Sequence, residues 1–347
     1  MTQQRTYGFG VVGCGVISDT HLDAIGALPN GKIVAVCDKV EQAAAAKAEK
    51  YGCEYYTDLA QMLEDDRIDV CNIVVPSGLH ARLGIQCAEA GKHVICTKPI
   101  DITLERIDAL IDACDGNGVK CAATHQLRGY SVYKRVKSAA QSGKLGKLLY
   151  GNAIVPWYRS DEYYSDGWHG TRALDGGGAL MNQSIHFIDL LIWIMGKVRM
   201  LGGFVDALAH DTIEVEDCGI ATLKFDSGAL GMIQGTTCTY KGHPGVLEIH
   251  GTKGNCVVVG DQIKLWEVEG DEIEYNPTAG DVGGSSDPRQ GMLGEAVQAH
   301  TEQIGDVLAA IEEGREPRLS GREARRAVEV IIKTYESSET GRMVSFT

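Results

Sequence analysis

Three groups of residues in this sequence have types and spacings suited to chemistry. The first is Gly13-Cys14-Gly15-Val16-Ile17-Ser18, at the end of the apolar run that begins at Gly8. A glycine turn between a strand and a helix lets the backbone approach a pyrophosphate. The helix N-terminus adds N–H donors and a favourable dipole. That chemistry is dinucleotide binding, and with it hydride transfer. The third glycine of the usual G-x-G-x-x-G pattern is absent, and a small Ser18 can stand in for it in close helix–strand packing. Asp38 ends the next apolar run, Lys32 to Cys37. An acid about 20 residues beyond the glycines is placed to accept hydrogen bonds from the adenine ribose. The same charge repels a 2′-phosphate, so NAD is expected over NADP. Lys39 follows directly and softens that preference.

The second group is Thr97-Lys98-Pro99, at the carboxyl end of a strand pattern. Pro99 biases Lys98 toward an extended backbone. A lysine held at the rim of a nicotinamide site can hydrogen-bond a substrate hydroxyl, or take its proton if its pKa is lowered. The alternative is a solvated surface lysine. Pro76 to His80 lies at the end of the preceding strand, again on the side where such sheets bind ligands. His80 in this loop is as readily a packing residue.

The third group runs from Asp175 through Gly176-Gly177-Gly178 to Asn182, His186 and Asp189. Three glycines precede a helix that reads as amphipathic. Asn182 and His186 are four apart and so share one helical face. Histidine is the side chain best suited to proton transfer near neutral pH. Asp189 could orient its ring, and a core histidine bonded to Asp189 is the competing reading.

The elements that position these groups follow from periodicity. Strand and helix patterns alternate through residue 124. Asp58 and Thr103 stand at helix starts, and Gly52 and Gly91 at helix ends. This alternation implies an N-terminal doubly wound parallel sheet over 1–124. Beyond it come a helix near 131–142 and closely spaced strands near 148–155, 200–206, 214–225, 229–238, 245–250, 255–259 and 262–268. Helical patterns at 295–313 and 321–336 close the chain. Residues 125–347 therefore read as an α+β domain on one large open, mostly antiparallel sheet.

Composition sets the bounds. The length, 347 residues, suits two domains. Hydrophobic and charged contents of 44% and 23% fit an ordinary globular protein. A net charge of −14 opposes nucleic-acid binding, which needs a basic surface. No run approaches the roughly 20 apolar residues of a membrane span. Met1 to Thr6 lead straight into the first strand, so no signal peptide is expected, and the expected location is cytoplasmic. Several of the cysteines (Cys37, Cys71, Cys87, Cys96 and Cys121) lie inside apolar elements. No Cys-x-x-Cys, His-x-x-x-His or His-Glu-x-x-His pattern occurs, so no structural metal is expected.

The ordered set of motifs resembles the Gfo/Idh/MocA family of sugar and polyol oxidoreductases. The resemblance runs from the glycine fingerprint through Pro76 to His80, Gly91 to Val94 and Lys98-Pro99. It continues through Tyr163-Tyr164, Trp168, Gly170-Thr171, the triple glycine and Asn182 to His186. It reaches Glu248 to Gly254, Pro317, Gly321 and Tyr335 to Val344. It implies a Rossmann domain carrying NAD(P) and a second domain whose sheet covers the nicotinamide. The implied substrate is a sugar, nucleotide sugar or cyclic polyol, oxidised at a ring secondary alcohol. Lys98 and His186 become the catalytic pair, with His186 favoured as acid/base because its ordinary pKa near 6.5 needs little tuning. Gly13, Cys14, Gly15, Val16, Ile17, Asp38, Pro76, His80 and Lys98 become the expected cofactor contacts. Asn182, Trp168, His169 and Arg128 become the expected substrate contacts. The open face of the second sheet implies a homodimer or homotetramer.

Two departures stand out. Many members carry Asp where this chain has Asn182, and an amide cannot accept a proton or balance an imidazolium. The usual Glu-Lys-Pro is Thr97-Lys98-Pro99 here, so a carboxylate beside the lysine is missing. An NADPH-dependent sugar reductase and a non-enzymatic NAD/sugar sensor remain as alternatives. Asp38 opposes the first, and the presence of both Lys98 and His186 opposes the second.

Overall fold

The computed structural model describes residues 5–271 and 293–346. It divides into two compact units, Met1–Gly129 with Leu293–Arg325, and Tyr130–Met292 with Arg326–Thr347.

The first unit alternates strand and helix: β1 (Tyr7–Val12), α1 (Ser18–Gly26), β2 (Gly31–Cys37), α2 (Glu41–Tyr51), β3 (Glu54–Tyr56), α3 (Leu59–Leu63), β4 (Val70–Ile73), α4 (His80–Glu89), β5 (His93–Thr97), α5 (Leu104–Gly116) and β6 (Cys121–Thr124). The six strands pair in parallel in the order β3-β2-β1-β4-β5-β6. β1 and β4 are buried along their whole length, as a parallel sheet covered on both faces requires. The helix punctuation matches its residues. The Asp58 carboxylate accepts the Ala60 N–H at 2.8 Å, Thr103 caps α5, and Gly52 ends α2 in a left-handed conformation.

The second unit holds α6 (Ser131–Gln141), β7 (Leu148–Pro156), α7 (Ile185–Met195), β8 (Val198–Asp206), β9 (Cys218–Phe225), β10 (Leu230–Thr236), β11 (Val246–Gly251), β12 (Gly254–Val259) and β13 (Gln262–Val268). The chain then returns to the first unit as α8 (Leu293–Glu313). Next, α9 (Gly321–Thr340) carries residues of both units, and β14 (Val344–Ser345) edges the second sheet. That sheet has eight strands in the order β13-β12-β11-β7-β10-β9-β8-β14. Every pair is antiparallel except β7 with β10.

Two expectations need correction. The units do not divide cleanly at residue 124, because 293–325 belong with the first. The reason is apolar: Ile304, Val307 and Leu308 of α8 join Leu22 and Ile25 of α1 in one buried cluster. The helix after the triple glycine is not amphipathic. From Gly177 to Ile192 every residue is buried except His186, since α7 packs on β7, β11 and α6. Among the described residues, no helix is long and apolar enough to cross a membrane, and no group of three His, Cys, Asp or Glu could hold a metal.

A polar pocket inside the first unit has a pH consequence. The Asn72 amide lies 3.0 Å from His21 Nδ1, and the His21 ring stands edge-on to His300 at 4.5 Å. Both histidines are buried, and burial pushes both pKa values below the ordinary 6.5. The folded state keeps them neutral, whereas the unfolded chain accepts protons near pH 6.5. Stability is therefore full above that pH and falls as pH drops through it, by up to about 1.4 kcal/mol per pH unit for each histidine. Thermal melts between pH 7.5 and 5.5 should show this decline, and a His300→Phe variant should flatten it.

Candidate active site

Strand order reverses between β1 and β4, the point at which doubly wound sheets bind ligands beyond their carboxyl ends. Gly13 follows β1 with φ +104°, and a Cβ there would lie 2.4 Å from the Val74 carbonyl oxygen. Only glycine fits that crossing. Asp38 binds the turn from the side. Its Oδ2 accepts the Cys14 N–H at 2.9 Å, and its Oδ1 accepts the Val40 N–H at 2.9 Å. A carboxylate has about four acceptor positions, so two remain for ribose hydroxyls. Ser18 is fully buried and its hydroxyl donates to the Gly15 carbonyl at 2.6 Å, which suits the small-residue role. Burial, and then Asp38, push the Cys14 thiol up to about 12, so it stays neutral.

These residues fit a dinucleotide. A Cβ at Gly15 would meet open space, where a pyrophosphate can approach the backbone. Val16 and Ile17 beside it are 78% and 41% exposed, an apolar pair for a ligand to cover.

Lys98 is half-buried at the end of β5, and its bond to Pro99 is cis. Pro76 is half-buried at the end of β4. His80, expected as a cofactor contact, is fully buried instead. Its Nδ1 lies 2.7 Å from the Pro99 carbonyl oxygen and its Nε2 2.8 Å from that of Val75. Both ring nitrogens face backbone, so the ring ties the loop after β4 to the loop after β5. Asp101, which the sequence reading passed over, supports the same junction. It is fully buried and accepts the Ala81 N–H at 2.8 Å and the Ile102 N–H at 2.7 Å.

In the second unit the triple glycine feeds a π turn, Ala179–Ser184, before α7 begins. Such wide turns are frequent at functional sites. Glu216 holds its start. The buried carboxylate accepts N–H groups of Gly178 and Leu180, each at 2.9 Å, and the Tyr335 hydroxyl at 2.9 Å. Gly178 is obligatory, because a Cβ would fall 1.9 Å from the Glu216 carbonyl oxygen. The turn brings Asn182 together with Asp175: the Asn182 amide donates to Asp175 Oδ1 at 2.6 Å.

Trp168 and His169 are half-buried and lie ring against ring at 3.6 Å, with Tyr163 at 4.2 Å from His169. His169 Nδ1 pairs with Asp166 at 2.6 Å. Arg159 lies over Tyr163 at 5.2 Å. Arg128, expected on the substrate side, belongs to the first unit. It is buried and its guanidinium pairs with Glu323 at 3.0 Å, as burial of a charge demands. Glu216 and Asp101 are turn-holding carboxylates that the sequence did not point to, and Asp175 stood in the third group without a role. The faint signal for Asp175 was its place directly before three glycines.

Known proteins share this fold. Residues 7–125 match the model of an oxidoreductase family with an NAD-binding Rossmann fold, and residues 133–257 match the GFO/IDH/MocA C-terminal domain. The WlbA dehydrogenase of Bordetella pertussis, crystallised with NADH and UDP-GlcNAcA, is 30% identical. The match covers 100% of this chain and 99% of that one, with a TM-score of 0.88. The chain belongs to the Gfo/Idh/MocA oxidoreductase family. The WlbA dehydrogenase of Chromobacterium violaceum, also with NADH and UDP-GlcNAcA, is 31% identical with a TM-score of 0.87, over 100% of this chain and 97% of that one. Myo-inositol 2-dehydrogenase of Thermotoga maritima is 25% identical over 343 residues, covering 96% of this chain and 97% of that protein. This Gfo/Idh/MocA member is an NAD-dependent dehydrogenase acting on CH–OH groups.

Asp38→Ala removes the anchor of the turn and the carboxylate expected to accept the ribose hydroxyls. The expected result is a roughly tenfold or greater rise in the Kd for NADH, about 1.5 kcal/mol or more, with discrimination against NADPH reduced. Fluorescence titration of the two reduced cofactors measures it, and an unchanged Kd removes Asp38 from the cofactor site.

Proposed function

We propose that this enzyme oxidises a ring secondary alcohol of a nucleotide-linked sugar to a ketone. The supporting observation is the 30–31% identity, over essentially the whole chain, to two dehydrogenases crystallised with NADH and UDP-GlcNAcA. Free sugars and inositols are the neighbouring substrate classes. The first unit takes the cofactor and the second the sugar.

Bound NAD supplies the hydride acceptor, nicotinamide C4. The carbinol C–H hydrogen would leave as hydride to that acceptor, and His186 is the residue that would take the hydroxyl proton. Lys98 donates a hydrogen bond to the same oxygen and polarises it as the carbonyl forms. His186 suits this role as the one half-buried position in an otherwise buried run. Asn182 binds a substrate hydroxyl, and Trp168 with His169 offers a surface for stacking.

The protein works in the cytoplasm as a homodimer or homotetramer. Support comes from the outward residues of the eight-stranded sheet: Phe204 is 75% exposed and Leu230 57%. Sedimentation of a Phe204→Glu variant should show a smaller assembly than the parent, and an unchanged assembly excludes this face.

The chemistry is tested by NADH absorbance with NAD and a panel of UDP-sugars, free aldoses and inositols. Turnover with UDP-sugars is expected. Turnover only with free sugars or inositols overturns the nucleotide-sugar assignment. NAD binding with no turnover on any of them favours a sensor. With the substrate in hand, His186→Ala should lower kcat by about 10²–10⁴-fold and leave the NAD Kd within about threefold. A His186→Ala variant with near-full kcat removes that assignment.

A further inference from the structure

Asp175 is a carboxylate with 1% exposure, set directly before the glycine turn. It joins two pieces of the second unit. Its Oδ1 receives the Asn182 amide N–H at 2.6 Å, and its Oδ2 receives the Gly170 N–H at 2.9 Å. The first contact reaches the π turn, and the second reaches the loop that carries Trp168 and His169. Tyr163, Tyr164 and Tyr335 also lie within its field, and its charge adds to burial in keeping those phenols protonated.

A contact between a carboxylate and an amide has only one workable polarity. The ionised carboxylate only accepts, so the NH₂ end of Asn182 must face it. The Asn182 carbonyl oxygen then turns away from Asp175. It can accept from a hydroxyl and cannot donate to one. Without that carboxylate, the two ends of the amide are nearly the same shape and either could face the substrate.

We propose that Asp175 is a positioning residue that fixes the orientation of Asn182, so that the site reads a substrate hydroxyl as a donor. This rests on the sugar-dehydrogenase reading for its effect on turnover, but not for the contact itself. A donating hydroxyl keeps its oxygen lone pairs for other donors, so a ring alcohol beside the reacting carbon is held with its proton pointing toward position 182.

A charge swap tests the proposal in two independent ways. Asn182→Asp alone sets two carboxylates at hydrogen-bonding distance, where they must share a proton. Its melting temperature should match the parent near pH 5 and fall progressively toward pH 8, because the shared proton is lost as pH rises. Asp175→Asn/Asn182→Asp restores one carboxylate and one amide and should remove that extra pH dependence. If Asn182→Asp melts in parallel with the parent from pH 5 to 8, the charged contact is overturned, whatever the enzyme turns over.

The second arm uses whichever sugar the parent oxidises. Asp175→Asn should lower kcat/KM about 10–100-fold and alter the kcat pH profile. The swapped pair should recover at least tenfold of that loss, because Asp at 182 still accepts from the hydroxyl. An Asp175→Asn variant with parental kcat/KM and pH profile overturns the positioning role. A parent that oxidises no sugar fails the functional reading instead, and the thermal arm then decides the Asp175–Asn182 contact alone.

Discussion

Asp38 takes the N–H of Cys14, Asp101 that of Ala81, Glu216 those of Gly178 and Leu180, and Asp175 that of Gly170. Four turns in and beside the candidate site are each held by a carboxylate receiving backbone N–H groups. The choice has a physical cost, since burying a charge is unfavourable. The return is also physical. Turns and helix starts leave N–H groups without helical partners, and an ionised acceptor satisfies them with bonds roughly twice as strong as neutral ones. Glu216 shows the balance: burial pushes its pKa up, while the two backbone donors and the Tyr335 hydroxyl pull it back. Side chains on loops are thereby tied to fixed backbone positions by charge-assisted hydrogen bonds.

The same anchoring explains where glycine is compulsory. Gly178 lies so close to Glu216 that any side chain would strike its carbonyl, and Gly13 stands in the same relation to Val74. In both places the backbone of a functional turn is pressed against another strand end. The two sheets thus reach one solution separately: the parallel one at its β1–β4 reversal, and the mostly antiparallel one beside its long buried helix.

Much of the fold was legible in the sequence because parallel strands buried on both faces read as unbroken apolar runs. β4 and β5 are of this kind, and the caps at Asp58 and Thr103 fell where the residues said. β3 went unread because three residues, two exposed and one half-buried, carry no period. The return of α8 went unread for another reason: an apolar stripe declares that a helix packs, not what it packs on. Residue type and spacing alone single out the candidate site at the fingerprint, Asp38, Lys98, Asn182 and His186. Partners were not legible. Nothing in local spacing shows that His80 faces two carbonyls, that Arg128 meets Glu323, or that Asp175 reaches across three glycines to Asn182.

The discontinuity of the first unit governs how the chain can come to be folded. Synthesis delivers residues 1–129 long before α8, so Leu22 and Ile25 leave the ribosome without Ile304, Val307 and Leu308 to cover them. The second unit is in the same position, because its own share of α9 and β14 is made after α8. Each core is completed by residues made after the other unit's main body. Two folding events that could have run in sequence during translation instead both draw on the segment beyond residue 293, and a chain stopped before it leaves two open apolar surfaces rather than one sound domain.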